Sequence, residues 1–435
     1  TFYMPEDSDR SMGDFADLVN DVVHFYSDWL GPAPFPGLTL TQVRNSQLGM
    51  PTSKALILLE PKLVNAHTLP VLEIAKRVAL QWWGHSVHIQ RSMDAWLADG
   101  FAQFSALKYI ESKDPKQFEA ELAKHAIDAL KYQDTAPIIN GLDLEVGSAR
   151  YQSIVGSKGA WVLYMLGQLV TPEKLDDILY QFYTKYAGQT ASIPNFVQMM
   201  GDVTGDNYAW FFIQWVESVG VPEFRVDYTI SRVQAGGYKI RGQVKQNIEL
   251  FRMPLDILIE TKGQPEEKNV MVNGKTTSFQ FDSETLPLKF DIDPKGKILM
   301  DSERMRIAVL IAIGDEFRET GEFVSAIEEY EKAVSLNARN SLAHYRLGET
   351  FFLQHSYSNA ANSMRDSLNG DLKPDWVETW AHIHLGKVYD ILGQRQRAKA
   401  EYQKAINSGV DYNGAQSEAE KYLAEPYTKP SGVIG

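Results

Sequence analysis

Five positions recur three times in the last third of the chain. Gly314, Gly348 and Gly386 each follow an aliphatic residue and precede an aromatic by three positions (Phe317, Phe351, Tyr389). Each set continues with a small Ala326, Ala360 or Ala398, a bulky Tyr330, Met364 or Tyr402, and a small Ala333, Ser367 or Ala405. The copies are offset by 34 and then 38 residues. A period of this length describes a pair of antiparallel helices. The small residues let two helices close up, and the bulky one fills the next layer. Such a pair cannot bury its apolar face alone, so the copies must stack into a solenoid. The longer second offset fits an extended loop containing Pro374, and residues 415–425 read as a terminal capping helix.

Upstream the hydrophobic period changes twice. From about residue 14 to 221 it is mainly helical: Ala75, Val78, Ala79, Trp82 and Trp83 recur at three and four residues, as do Trp96, Leu97, Phe101, Phe104 and Leu107. A Pro-rich loop at residues 31–37 precedes an extended stretch at 38–43, and the apolar run 56–59 reads as a strand. After Pro222 the period becomes two. Residues 224–230, 238–244, 255–260 and 278–281 alternate and are separated by Gly and polar turns, which predicts a small β-sandwich.

Composition narrows the function. The chain has 435 residues, 44% hydrophobic and 23% charged, enough for a sizeable core. Its net charge of −13 suits neither nucleic acid nor an anionic membrane. Cysteine is absent, which excludes disulfides, thiolate metal sites and Cys nucleophiles. No apolar run reaches the ~18 residues of a transmembrane helix. The first residue is Thr1 rather than Met, which reads as a processed or trimmed chain. With the lack of Cys it leans towards an exported, periplasmic location.

The C-terminal pattern resembles the tetratricopeptide repeat (TPR). The most specific upstream segment is residues 76–84, KRVALQWWG, followed at 96–102 by WLADGFA. It resembles the M1 family of zinc aminopeptidases, which carry H-E-x-x-H-Q-W-[FW]-G and then W-L-N-E-G-F-A. Phe25-Tyr26 with Leu30-Gly31 and Pro36, Ser157-Lys158-Gly159-Ala160, and Trp215 with Gly220 and Pro222 extend the likeness over roughly residues 15–300. The family's large N-terminal β domain has no counterpart here. The resemblance implies a multidomain, mainly α protein: a thermolysin-like helical domain (1–221), a β-sandwich (222–302) and a C-terminal α-solenoid of TPRs (303–435). It also suggests analogy with bacterial peptidase–repeat fusions.

The resemblance further implies where zinc chemistry should sit. Two His one turn apart and a carboxylate from the next helix would hold Zn²⁺, with a Glu as general base. Here the His positions are Lys76 and Leu80, the base is Arg77, and the third ligand is Asp99. A protonated Lys and a Leu have no lone pair to give, and Arg is no base near neutral pH. The family's oxyanion-stabilising Tyr falls at Gly156. Its amine-gripping G-x-M-E-N strand is matched only by Gly49-Met50-Pro51-Thr52, without a carboxylate. The expectation is therefore no catalytic residue, no metal and no cofactor: an inactive M1-like protein acting as a binding or assembly subunit. The alternative is a zinc aminopeptidase with a residual or rewired site.

Several arrangements stay open at this level. His85 and His88, three apart, are a weak rewired metal pair. Asp99 and Lys76 form an ion pair in one reading, and Glu73 takes up Lys76 or Arg77 in another. A peptide-binding pseudoenzyme that keeps the old substrate site is a third functional reading. Gly274-Lys275-Thr276 imitates a phosphate loop but lacks its earlier Gly and reads as a β-hairpin. Trp82, Trp83 and Trp96 read as core. In the repeats, the first helix of each pair lines the concave face. That places Tyr345, Glu349, Phe352 and Leu353, then Trp380, Ile383, Lys387 and Ile391, in a groove suited to a peptide or protein partner. The competing reading packs the same residues on the neighbouring sandwich or on another chain.

Overall fold

A computed structural model describes residues 2–3, 12–43, 52–64, 69–89, 91–234 and 236–429. The chain forms two compact units, residues 1–301 and 302–435.

The first unit opens with strand β1 (Phe2–Tyr3) and helix α1 (Met12–Leu30). Strands β2 (Thr39–Gln42), β3 (Thr52–Ser53) and β4 (Leu56–Leu59) join β1 in a sheet of order β1-β2-β4-β3. A short α2 (Pro61–Val64) leads to α3 (Val71–Ala79), then strand β5 (His88–Ile89), α4 (Trp96–Lys113) and α5 (Pro115–Lys131). The chain next forms α6 (Ala149–Tyr151), a π-helical turn at Gln152–Ser157, and α7 (Lys158–Val170). Helix α8 (Pro172–Tyr186), strand β6 (Thr190–Ala191), α9 (Ile193–Thr204) and α10 (Ala209–Trp215) complete the helical part.

Helix α4 is apolar nearly all round and lies at the centre, as such a helix must. Trp96, Phe101, Phe182 and Phe196 meet edge to face around it, with ring centres 5.0–5.3 Å apart in the closest pairs. Trp82 and Trp83 are fully buried, and their indole N–H groups donate to the Gly31 carbonyl and the Ser105 hydroxyl, both at 3.0 Å. They are core, as read from the sequence. Helices α4 and α7 cross at backbone contact. A Cβ at Gly100 would lie 3.0 Å from the Val155 carbonyl oxygen and 3.2 Å from Gly159 Cα. Larger residues would push the two helices apart, and with them Asp99 from the π turn.

Six strands follow: β7 (Phe224–Arg232), β8 (Tyr238–Gln246), β9 (Met253–Thr261), β10 (Glu266–Val272), β11 (Thr276–Ser283) and β12 (Pro287–Ile292). They form two three-stranded sheets, β10-β9-β12 and β11-β8-β7. Met253, Leu255, Ile257 and Ile259 of β9 point inward, and the polar alternates face out. Strands β10 and β12 go beyond the four alternating stretches visible in the sequence. Gly274-Lys275-Thr276 lies where β10 passes to β11, which belong to opposite sheets; it is a crossover and not the hairpin expected. Trp215 packs on Phe251 at 4.7 Å, and Gln214 exchanges two hydrogen bonds with the Arg252 backbone, joining sandwich to helices.

The second unit is α11 (Glu303–Glu319), α12 (Phe323–Leu336), α13 (Ser341–Leu353), α14 (Tyr357–Leu368), α15 (Trp376–Ile391), α16 (Arg395–Ser408) and α17 (Ala415–Ala424). The repeat glycines do what their spacing implied. A Cβ at Gly314 would run into the Tyr330 ring, at Gly348 into Met364, and at Gly386 into the Tyr402 ring. Helix α17 packs on α15 and α16 as the capping helix.

Candidate functional site

Helix α3 has nine residues, and Ile74 through Ala79 are all buried. It therefore has no solvent face for its two adjacent cations. Tyr26 of α1 anchors it by donating to the Ala75 carbonyl at 3.1 Å. Lys76 is 8% exposed, and its Nζ donates to Gln152 Oε1 at 2.7 Å. Gln152 begins the π-helical turn that also carries Gly156. A Cβ at Gly156 would sit 3.4 Å from Gln152 Oε1 and 3.7 Å from Lys76 Nζ. The Lys76–Gln152 pair thus lies against the position where the resemblance would place a catalytic Tyr.

Arg77 is held in three directions. Its Nη2 lies 2.8 Å from the Glu60 carboxylate, its Nε donates to Glu73 at 2.7 Å, and its Nη1 donates to the Leu58 carbonyl. Arg77 and Glu60 are both buried. Burial opposes ionisation of Glu73, but the Lys76 and Arg77 cations outweigh it, so its carboxyl titrates below the ordinary range. Of the two partners weighed for Glu73, the hydrogen bond goes to Arg77.

The Lys76–Asp99 ion pair does not form. Asp99 Oδ2 accepts the Tyr151 hydroxyl at 2.6 Å, while Lys76 turns to Gln152. Burial, followed by the Asp99 charge, pushes the Tyr151 phenol well above its usual range, so it remains a donor. Tyr151 and Gln152 are neighbours in the chain and take one partner each. Leu80 sits at the C-terminal cap of α3. Thr52 Oγ1 lies 2.9 Å from His85 Nε2, and Gly49-Met50-Pro51 is outside the described residues.

The His85/His88 pair is not on a helix. Helix α3 stops at Ala79, His85 lies in the turns that follow, and His88 is on strand β5, exposed. Burial lowers the His85 pKa, and the nearby His88 adds to this. A third histidine was not singled out from the sequence. His125 on α5 lies 3.0 Å from Gln103 Nε2 and 3.0 Å from Ser157 Oγ. Burial lowers its pKa to about 4. One His on an amphipathic helix gives no sequence signal of such a network.

These donors do not fit zinc. Zn²⁺ needs lone pairs from imidazole or carboxylate. Protonated Lys76 has no lone pair and donates to Gln152, Leu80 has no donor atom, and Arg77 is a bound cation. Asp99 alone has oxygens to offer. Among the described residues no three His, Asp or Glu side chains are grouped to hold a metal ion.

The repeat face differs from the expected open groove. Tyr345 and Ile383 are core residues, 3% and 0% exposed. Glu349 accepts from Arg346 at 2.6 Å, and Arg346 also reaches Asp315 at 3.1 Å. Phe352 stacks on His384 and meets Tyr427; Trp380 donates to the Tyr412 carbonyl at 2.9 Å; Lys387 binds Glu418 at 2.7 Å. Leu353 is exposed and Ile391 half-buried. Helix α17 and the segment after it supply Glu418 and Tyr427, so the chain itself covers much of this face.

The model of the peptidase family M1 domain matches residues 45–215, and tetratricopeptide models match residues 314–354 and 381–408. This is an M1-aminopeptidase fold fused to tetratricopeptide repeats. Aminopeptidase M1-C of Oryza sativa is 23% identical over 233 residues, 50% of this chain and 26% of the rice protein. Leucyl aminopeptidase of Saccharolobus solfataricus is 24% identical over 230 residues, 51% of this chain and 27% of the archaeal one. The chain thus spans about a quarter of the length of these curated relatives. Aminopeptidase A of Legionella pneumophila, solved with aspartic acid, shares the fold with a TM-score of 0.57 at 15% identity, covering 98% of this chain and 57% of that one. No described helix of the chain is long and apolar enough to cross a membrane.

Proposed function

We propose that this M1–TPR chain is a catalytically inactive protein that works as a binding or assembly subunit and takes a protein or peptide partner through its repeats. One observation carries the reading: the general-base position is Arg77, fixed by Glu60, Glu73 and the Leu58 carbonyl. A guanidinium cannot deprotonate a water near neutral pH, and this one cannot swing away without stranding a buried carboxylate. The neighbouring positions agree with it. Lys76 and Leu80 offer zinc nothing, and Gly156 has no side chain to stabilise an oxyanion. The repeats provide the surface for a partner.

The test is metal content by elemental analysis, with and without added Zn²⁺, alongside hydrolysis of aminoacyl 4-nitroanilides. The expected result is less than about a tenth of an equivalent of zinc and no turnover above buffer. One full equivalent, lost on Asp99→Ala and accompanied by turnover, would restore the zinc aminopeptidase in place of the scaffold.

A further inference from the structure

Beyond Ala424 the chain turns extended at Glu425 (φ −122°, ψ 139°), and Tyr427 meets Asp390 and Lys387 near the C-terminal end of α15. Arg395 caps the end of α17 by donating to the Tyr422 and Leu423 carbonyls, each at 2.8 Å. Asp390, its side chain 1% exposed, accepts the Tyr427 backbone N–H at 2.8 Å and is itself braced by Arg395 and the Tyr402 hydroxyl, both at 3.0 Å. The Asp390 contact reads a main-chain N–H of the extended segment, so another extended segment can satisfy it equally well.

One side-chain slot adds selectivity. The Tyr427 ring lies 6.0 Å from Phe352 of the second repeat, and Lys387 of the third lies over it at 5.4 Å. Two residues on, Lys429 Nζ stands 4.6 Å over the Tyr357 ring. The grip is shallow. Glu425, Pro426, Thr428 and Lys429 are exposed, and Tyr427 is half-buried. Pro426 limits the freedom that an extended segment must lose on docking.

We propose that this slot is the peptide site of the repeats, closed by residues 425–429, and that a partner enters it with an extended segment bearing an aromatic side chain followed two residues later by a cation. This deepens the binding function proposed above and rests on it. A tethered segment at an effective concentration of about 1 mM, with a Kd of its own for the open slot of about 10 µM, makes a partner peptide bind about 100-fold more weakly.

The test is fluorescence anisotropy with a labelled synthetic peptide of residues 425–429, titrated with the whole chain and with the chain ended after Ala424, which keeps α17. The expected result is saturable binding about 100-fold tighter to the shortened chain, and at least about tenfold weaker for a peptide with Ala in place of Tyr. Tyr427→Ala in the full-length chain, checked for native circular dichroism, should also open the slot. If neither variant binds the peptide while the repeats melt earlier, the segment is only a structural cap and the proposal falls. Zinc analysis separates the two claims: a zinc enzyme that still binds the peptide overturns the scaffold reading and keeps this one, and a metal-free chain that does not bind it does the reverse.

Discussion

Lys76 and Lys387 are both nearly buried ammonium groups, 8% and 9% exposed, yet their surroundings differ in kind. Lys76 donates a hydrogen bond to a neutral amide on a π turn, beside helices α4 and α7, which meet at the Gly100–Gly159 backbone contact. Lys387 pairs with Glu418 and lies over the rings of Trp380, Tyr422 and Tyr427, several of them on a segment beyond the last repeat. The first site is filled by substitution within a rigid core and cannot be vacated without unfolding. The second is filled by α17, through Glu418 and Tyr422, and by Tyr427 of the segment proposed above to leave. On the readings proposed above, an inert centre and an exchangeable surface divide the molecule between fixed scaffold and adaptable contact.

The largest test of that division is Arg77→Met. It leaves Glu60 buried beside no cation, so the first unit should lose about 3–5 kcal/mol in urea unfolding. Adding Glu60→Gln should return much of the loss. Lys387→Met should cost the second unit under about 1 kcal/mol, because Glu418 keeps 28% side-chain exposure and can turn to water. Equal losses in the two units would break the comparison.

Two buried histidines give the next test. His125 in the first unit and His384 in the second both have pKa values lowered to about 4, chiefly by burial. His384 lies between the Tyr345 and Phe352 rings with its Nδ1 buried and unpartnered. An unfolded His takes its proton near pH 6.5, while these stay neutral until about pH 4. Over that window the unfolded chain binds more protons, so stability is full above about pH 6.5 and falls as the pH drops towards 4. Each site accounts for about 3 kcal/mol across the window. Denaturation from pH 7 to 4 should show His384→Phe flattening the slope of the second unit and His125→Gln that of the first. An unchanged slope in either variant would mean that its histidine is not held neutral.

What the sequence announced follows the same division. The repeat glycines and the Trp-rich helix pair were legible because packing leaves a period. Lys76, Arg77 and Leu80, at the positions where the resemblance places zinc chemistry, were legible because they stand at fixed spacing. Their new partners were not. Gln152 faces Lys76 only because a π turn shifts the helical phase, and period-3.6 reading cannot see that shift. Strand β10 begins with half-buried Glu266 and exposed Glu267, and β12 opens on Pro287 at a sheet edge, so neither stands out as an alternating stretch. Tyr427 lies past the last periodic helix, in Glu-Pro-Tyr-Thr-Lys, whose composition marks an extended segment but not where it docks.

The smallest expected effect contrasts two glycines. At Gly100 a methyl would meet backbone, the Val155 carbonyl oxygen at 3.0 Å and Gly159 Cα at 3.2 Å. Backbone in crossed helices cannot rotate away, so Gly100→Ala must separate α4 from α7 and should cost about 1–3 kcal/mol of overpacking, less about 1 kcal/mol regained in helix propensity. At Gly348 the nearest atom is Met364 Cε at 2.7 Å, the end of a flexible thioether. Met can take another rotamer at small cost, and the same propensity gain offsets it, so Gly348→Ala should lie within about 1 kcal/mol of neutral. Thermal melts of the two variants decide it. If Gly348→Ala is the more damaging, the repeats are packed as rigidly as the peptidase-like core, and a strip of chain leaving their surface would no longer be the easier event.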